Sequence, residues 1–228
     1  MTNLKVLSAG AMKFVVTGLA PKFDGPIDST FGTIATVLKR LQSGETADVL
    51  IGTIPAVEQW ERSGAILPGS RKDIGRTLTG LGVREGTPVP DISTPEKFKQ
   101  AMLDARSIAM TDPAMGGSSV IYMVELLKRL GILDAVRRKT LFCVDGIVVV
   151  DKVMAGEAEL ASTFLSEIVP RPGMKTAGPL PAEFRHGMSY AAGVAAGTSN
   201  RAGAQRFIDL MTGPAQREFL VSCGFEPA

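Results

Sequence analysis

The stretch TIATVLKRLQSGETADVLIG, Thr33 to Gly52, indicates the fold class of this 228-residue chain. Its first part, TIATVLKRLQSGE, has apolar residues at helical spacing and stops at Gly44, a residue typical of helix C-termini. The following ADVLIG is a continuous apolar run, as in the buried strands of parallel sheets. A helix that leads directly into such a strand indicates βαβ units and an α/β fold.

Similar segments lie on both sides of this stretch. LKVLS and PIDSTFG predict strands, with the helical pattern AGAMKFVVTGLAPKF between them. Further along, SIAM predicts a strand, VIYMVELLKRL a helix and MSYAAGVAAG a strand, and the amphipathic patterns NRAGAQRFIDLMTG and PAQREFLVSCGF predict two final helices. We predict two lobes, residues 1–80 plus 187–228 and residues 81–186, each a mixed sheet flanked by helices. The ligand is expected in a cleft between them, at the carboxyl ends of the strands.

The composition excludes several classes of function. With 45% hydrophobic and 21% charged residues the chain is typical of a soluble globular protein, and its charge of +2 comes with no basic block. Nucleic acid is therefore not an expected partner, and no apolar run is long enough to span a bilayer. Cys143 and Cys223 lie in apolar contexts and are predicted to be buried free thiols. A single histidine, His186, excludes a His-rich metal site, and we expect neither metal nor cofactor.

The N-terminal segment bears on localisation. MTNLKVLSAG enters a strand within a few residues, without a charged and then apolar leader. This pattern predicts a cytoplasmic protein as the sequence stands, and a periplasmic one if a leader has been removed.

Three strand-to-helix junctions are rich in small residues: SAGAM (Ser8–Met12), FGTIA (Phe31–Ala35) and DPAMGGSS (Asp112–Ser119). Small residues allow close approach of the backbone, and the N–H groups at a helix start bind anions without needing a lysine or arginine. The alternative is that glycine, serine and threonine serve only as helix caps at such junctions. The agreement of three junctions favours an anion site.

Five segments, spread over nearly the whole length of the chain, carry a resemblance to a known family: LKVLSAGAM, LKRLQSGETADVLIG, TDPAMGGSS, VMAGEAEL and TGPAQREFLVSCGF. In their order and register, these segments resemble the periplasmic molybdate-binding proteins. These proteins belong to the type II class of periplasmic solute-binding proteins. The resemblance implies the two-lobed fold of that class, a bound small anion, a monomer, and an ABC transporter permease as partner if the protein is periplasmic.

The resemblance also implies ligand contacts from hydroxyls and backbone amides at Ala11, Thr33, Ser118, Gly146 and Phe164. Ala11 stands where the family has a serine, and Phe164 stands where it usually has a tyrosine, whereas Thr33 keeps a hydroxyl. Losing two of about five donors, each worth roughly 1–3 kcal/mol, would weaken binding of the usual oxyanion.

Other residues could replace the lost donors. Lys13 follows the first loop, Thr53 ends the ADVLIG strand, and Arg84 follows LGV; full positive charges suit planar carboxylates. The remaining predicted contacts are Met12, Gly117 and Ser119. This set favours an organic di- or tricarboxylate.

A second resemblance, to aconitate isomerase, implies a different activity. That enzyme moves a double bond within a tricarboxylic acid, which requires a base at an acidic carbon and groups that hold the resulting charge. Lys13, Asp145, Glu167 and His186 are the candidate bases, and the sequence does not choose among them. The predicted function is binding of a small anion as a solute-binding protein, with a cofactor-independent isomerase as the alternative.

Overall fold

Strands and helices alternate along most of the chain, and the computed structural model describes residues 3–228. The first elements are β1 (Leu4–Ala9), α1 (Lys13–Leu19), β2 (Ile27–Gly32), α2 (Ile34–Gln42), β3 (Val49–Thr53), α3 (Ile54–Arg62), β4 (Lys72–Arg84), α4 (Pro95–Asp104), β5 (Ile108–Thr111) and α5 (Ser118–Arg129). There follow α6 (Leu133–Arg137), β6 (Thr140–Cys143), α7 (Gly146–Met154), β7 (Leu160–Phe164), α8 (Leu165–Ile168), β8 (Met174–Pro179), β9 (Gly187–Val194), α9 (Arg201–Thr212), α10 (Arg217–Ser222) and β10 (Phe225–Pro227). The predicted α/β alternation is confirmed.

These elements form two compact units. Unit 1 comprises the described residues through Arg76 together with Ser189–Ala228, and unit 2 is Thr77–Met188. The division therefore falls inside β4 and again inside β9. The boundaries that the sequence predicts, after residue 80 and after residue 186, lie a few residues from these points.

The sheet of unit 1 is built around β1. This strand pairs in parallel with β2 on one side and β3 on the other, and β3 pairs antiparallel with β9. Leu7 and Leu50 pack in one apolar cluster with Val37 of α2 and Trp60 of α3. The neighbouring Val6 points to the opposite face, because side chains alternate along a strand, and it is equally buried. Both faces of this sheet are therefore covered.

The sheet of unit 2 is also covered on both faces. Its strand β5 pairs in parallel with β6 and β7, and β4 pairs antiparallel with β7 and with β8. Ile108 and Met110 of β5 belong to the cluster that contains Phe98 of α4, whereas Ala109 belongs to the cluster that contains Val149 of α7. Alternation along β5 thus places helices on the two sides of the sheet.

The end of the chain differs from the sequence prediction. A helix is predicted through PAQREFLVSCGF, but α10 ends at Ser222 and the last residues form β10. Gly224 adopts a φ of 78°, which a glycine tolerates and which ends the helix. The Ala228 N–H then donates to the carbonyl of Ile74 at 3.2 Å. Strand pairing therefore replaces the last turn of the predicted helix.

Cys143 and Cys223 are buried free thiols, as predicted, and burial raises the pKa of each. Within residues 3–228, no helix combines the length and the apolar character needed to cross a membrane. The same residues contain no group of three or more His, Cys, Asp or Glu side chains placed to hold a metal ion.

Candidate functional site

In unit 1, the carboxyl ends of the parallel strands lie at one edge of the sheet. Ala9, the last residue of β1, is opposite Gly32, the last residue of β2, and β3 runs in the same direction beside them. Beyond this edge the chain enters α1, α2 and α3. The structure therefore places together the five contacts predicted in this unit: Ala11, Met12, Lys13, Thr33 and Thr53.

These five residues offer different groups to a ligand. Lys13 is the first residue of α1 and is half-buried, so its ammonium is within reach of solvent. The side chain of Met12 is completely buried, and Met12 therefore has only its backbone to offer. Thr53 is nearly buried and directly precedes α3. Lys13 is the source of full positive charge within this set.

Thr33 serves as the N-terminal cap of α2. Its hydroxyl oxygen accepts a hydrogen bond from the Thr36 N–H at 3.2 Å, and the two threonine hydroxyls lie 3.0 Å apart. A side-chain cap of this kind stabilises a helix start by about 1 kcal/mol. The structural role considered for FGTIA is thus present, at the same edge as the predicted ligand contacts.

Unit 2 has a corresponding edge. Thr111 ends β5 opposite Cys143, the last residue of β6, and β7 ends at Phe164 in the same direction. The helices α5, α7 and α8 begin just beyond these strands. This edge brings together most of the predicted residues of the unit: Gly117, Ser118, Ser119, Gly146, Phe164 and Glu167.

The GGSS segment forms the start of α5. The Asp112 carboxylate accepts a hydrogen bond from the Ala114 N–H at 2.9 Å, and Gly116 has a φ of 71°, which lets the chain reverse. Gly117 is the residue before the helix, and no side chain described in the structure caps α5. Ser118 and Ser119 lie in its first turn and are not its caps. The start of this 12-residue helix therefore combines uncapped N–H groups with two hydroxyls.

The most perturbed titratable group at this edge is Glu167, in α8. It is 5% exposed, and its Oε2 accepts hydrogen bonds from the Thr163 hydroxyl and from the Phe164 N–H, the latter at 3.4 Å. Burial, and to a smaller extent the negative charge of Asp145, raise its pKa from 4.5 to about 7, against the opposing effect of these hydrogen bonds. Glu167 is therefore a carboxyl group that both gains and loses its proton near neutral pH.

Gly146, the first residue of α7, lies directly against Glu167. A Cβ atom built at Gly146 would overlap the Glu167 carboxyl group. The preceding Asp145 caps α7, accepting a hydrogen bond from the Val148 N–H at 2.9 Å. This engagement gives Asp145, one of the candidate bases, a structural role.

His186 is held in a stack of rings at the same edge. Its ring lies parallel to that of Tyr122, with centroids 4.2 Å apart, and is also stacked at 6.5 Å from Phe164. Its Nδ1 is 3.0 Å from the hydroxyl of Thr79, which pairs with Phe164 between β4 and β7. The Tyr122 hydroxyl donates to the Phe184 carbonyl at 3.0 Å. Two of the candidate bases, His186 and Glu167, thus each contact Phe164.

Arg84 lies at the other edge of unit 2. In the antiparallel pairing of β4 with β7, Thr79 is opposite Phe164, whereas Val83 is opposite Leu160, the first residue of β7. Arg84 is five strand residues, or about 17 Å, from Thr79 at the edge that carries Phe164. Arg84 instead lines a cavity of about 310 Å³ together with Thr87, Arg106, Ser107 and Glu159. The structure does not bring Arg84 together with the other predicted contacts of its unit.

Sequence reasoning missed three residues of the unit 2 edge: Tyr122, Thr163 and Thr79. Thr163 had a local signal, because a threonine four residues before a glutamate lies within reach of it at a helix start. Tyr122 and Thr79 had none, since each contacts His186 from a distant part of the chain.

The family model of the bacterial extracellular solute-binding proteins matches residues 4–226. Among curated proteins, an aconitate isomerase from a Pseudomonas species is 26% identical over 236 residues, which cover 100% of this chain and 88% of that protein.

Solved structures with the same fold include binding proteins for oxyanions. The periplasmic molybdate-binding protein of Azotobacter vinelandii has a TM-score of 0.76 at 20% identity, covering 98% of this chain and 99% of its own. The sulfate-binding protein of Mycobacterium tuberculosis has a TM-score of 0.74 at 11% identity, covering 100% of this chain and 88% of its own. These likenesses show the fold, and they confirm the predicted fold class, that of the type II periplasmic binding proteins.

Proposed function

Because the chain belongs to the family of bacterial extracellular solute-binding proteins, we propose that it binds a small anionic solute at the carboxyl ends of its parallel strands. The observation that carries the proposal is the start of α5, where no side-chain cap occupies the first N–H groups and two serine hydroxyls lie beside them. Helix starts of this kind bind carboxylates and oxyanions. The names of the molybdate- and sulfate-binding neighbours support an anion as the class of ligand.

Within that class, we propose an organic di- or tricarboxylate. Ala11 and Phe164 carry no polar side-chain atom, which reduces the number of hydroxyl donors for a tetrahedral oxyanion. Lys13 supplies a full charge, which pairs well with a carboxylate. The likeness to an aconitate isomerase, a protein named for a tricarboxylic acid, supports the same choice.

The partner and the location are proposed from family membership. An ABC transporter permease is the expected partner if the protein works outside the cytoplasm, as the family description implies. The cytoplasmic location expected from the N-terminal sequence and the monomeric state both stay predictions.

The experiment is a thermal-stability screen of the purified protein with molybdate, tungstate, sulfate, phosphate, cis- and trans-aconitate and citrate. A bound ligand at 100 times its Kd adds about 2.7 kcal/mol to the free energy of unfolding, which is an upward shift of a few degrees. We expect carboxylates to stabilise the protein and Ser118→Ala to weaken the effect. Ser199→Ala, an exposed serine of unit 1, is the matched control. The proposal is wrong if no anion of this panel raises the melting temperature.

A second candidate function, isomerisation of a small unsaturated carboxylic acid, is favoured by Glu167. A general base works best with a pKa near the working pH, and the pKa of Glu167 is raised to about 7 beside the ring stack of His186 and Phe164. In heavy water, a carbon-bound hydrogen of cis- or trans-aconitate would exchange with solvent, as detected by proton NMR. If neither exchange nor interconversion occurs with the wild-type protein, the isomerase function is rejected while solute binding stands.

A further inference from the structure

We propose that the second carboxyl oxygen of Glu167, Oε1, donates a hydrogen bond to the bound anion, so that binding of the solute is coupled to protonation of Glu167. This inference rests on the proposed function and names a contact and a proton dependence for the same site. The carboxyl group would act as a neutral acid that recognises an anion by donating a hydrogen bond to it.

The first support is the fixed orientation of the carboxyl group. Thr163, the residue before the last of β7, donates a hydrogen bond from its hydroxyl to Oε2, and the Phe164 N–H donates to the same oxygen. Both bonds converge on one oxygen, and among residues 3–228 no hydrogen bond reaches Oε1. Glu167 keeps 5% of its surface exposed. The oxygen that is not used within the protein is thus the one left to meet a ligand.

The second support is the space provided at α7. Because Gly146 has no side chain, the Glu167 carboxyl group lies directly against the first turn of that nine-residue helix. A Cβ atom at this position would overlap the carboxyl group. Gly146 and Phe164 are both at the strand edge that carries Ser118, so the acid stands among the proposed anion contacts.

The third support is the charge around Glu167. On α7, the nearby Asp145 is negative, while the remaining charges of that helix are engaged in ion pairs of their own. On β8, Lys175 pairs with Glu85 at 3.7 Å. On β7 and β4 the nearby groups are hydroxyls, and His186 stacks on Phe164. In the described part of the chain no cation forms an ion pair with Glu167, and its pKa is accordingly raised, mainly by burial.

A neutral acid in this position has one proton and one open oxygen. Below its pKa, the O–H donates to a solute carboxylate or oxyanion in a strong, charge-assisted bond. Above its pKa, the ionised group repels the anion and has no proton to donate. Linkage then requires that the protein takes up close to one proton for each anion bound near pH 8, and that the affinity for the anion falls as the pH rises.

The test is calorimetric titration of the wild-type protein with trans-aconitate and with sulfate at pH 6 and pH 8. Sulfate keeps a constant charge over this range, whereas the last carboxyl group of a tricarboxylate still ionises near its lower end, so the pH dependence due to the protein is read from sulfate. With a carboxyl pKa near 7, the affinity is expected to fall about tenfold between these values. Repeating the titration at pH 8 in two buffers of different ionisation enthalpy measures the proton taken up, and this needs no variant.

Variants then assign the proton to its residue. Glu167→Gln keeps a donor that does not titrate, so the change in affinity between pH 6 and pH 8 is expected to shrink below twofold. Glu183→Gln, at an exposed glutamate of the same unit, is the matched control and should keep the full change. His186→Gln should also keep the full change in affinity between pH 6 and pH 8.

Two results would overturn the inference while leaving solute binding intact: a wild-type affinity that changes less than twofold, or a pH dependence that disappears in His186→Gln and persists in Glu167→Gln. If neither anion binds at either pH, the proposed function fails as well. The first two results therefore reject the coupling to Glu167 alone, and the last also rejects solute binding.

Discussion

Replacing Glu167 by glutamine should change how the stability of the ligand-free protein depends on pH. The carboxyl group is buried, and its pKa is raised from 4.5 in the unfolded chain to about 7 in the folded protein. Between these values the folded state holds a proton that the unfolded chain has released. The stabilisation is therefore fully present below pH 4.5 and is lost as the pH rises through 7.

The size of this effect follows from the two pKa values. Each pH unit in the interval is worth about 1.4 kcal/mol, so the free energy of unfolding should fall by about 3 kcal/mol between pH 4.5 and pH 7.5 because of Glu167 alone. Glu167→Gln removes this contribution, since an amide does not titrate. The difference in the free energy of unfolding between the wild type and Glu167→Gln should accordingly shrink or change sign over the same pH interval.

The assay is urea denaturation followed by far-ultraviolet circular dichroism at closely spaced pH values, for wild type, Glu167→Gln and Glu183→Gln. The Glu183 variant should parallel the wild type, because that side chain is exposed. If the wild-type and Glu167→Gln curves run parallel from pH 4.5 to pH 7.5, Glu167 has an ordinary pKa, and the argument from burial is refuted.

Two substitutions and one labelling experiment test the geometry. Gly146→Ala should displace the Glu167 carboxyl group, which lowers the free energy of unfolding by about 1–3 kcal/mol and weakens anion binding measured by calorimetry. Gly197→Ala, in open space, should do neither. Equal effects of the two substitutions would show that the contact at Gly146 is unimportant. Arg84→Ala should leave the affinity for trans-aconitate within twofold, and a tenfold loss would mean that Arg84 reaches the ligand. Cys143 and Cys223 should resist Ellman's reagent at pH 7 until the protein is unfolded, because burial keeps both thiols protonated and covered; rapid labelling of the native protein would contradict their burial.

The helices and strands that depend on residues close together in the sequence were predictable from it. The helical spacing in TIATVLKRLQSGE predicts α2, and the end of the pattern at Gly44 matches a φ of 86° just beyond the helix. The apolar run after it predicts β3. Because helices start where parallel strands end, the same reasoning also placed Thr33 and Ser118 at the edges of their sheets.

The pairing of distant segments could not be predicted in this way. Arg84 is the last residue of a strand just as Thr53 is, but β4 runs antiparallel to β7, and its end lies at the opposite edge of the unit 2 sheet. The stack of His186 on Tyr122 joins residues far apart in the sequence, with no local pattern in either segment. Strand β8 was also not predicted, because glycine and proline near its end weaken the pattern typical of a strand.

The division of the chain has a consequence for its synthesis on the ribosome. Unit 2 is one uninterrupted segment, so all of its residues have been synthesised once Met188 has been added. Unit 1 is not complete at that point, because β3 still lacks β9, and Lys72 still lacks its ion-pair partner Asp209. The N-terminal segment of unit 1 therefore cannot complete its sheet until the C-terminal segment has been synthesised. We expect unit 2 to fold while the N-terminal strands of unit 1 still have one sheet edge unpaired, which makes those strands the part of the nascent chain most exposed to aggregation.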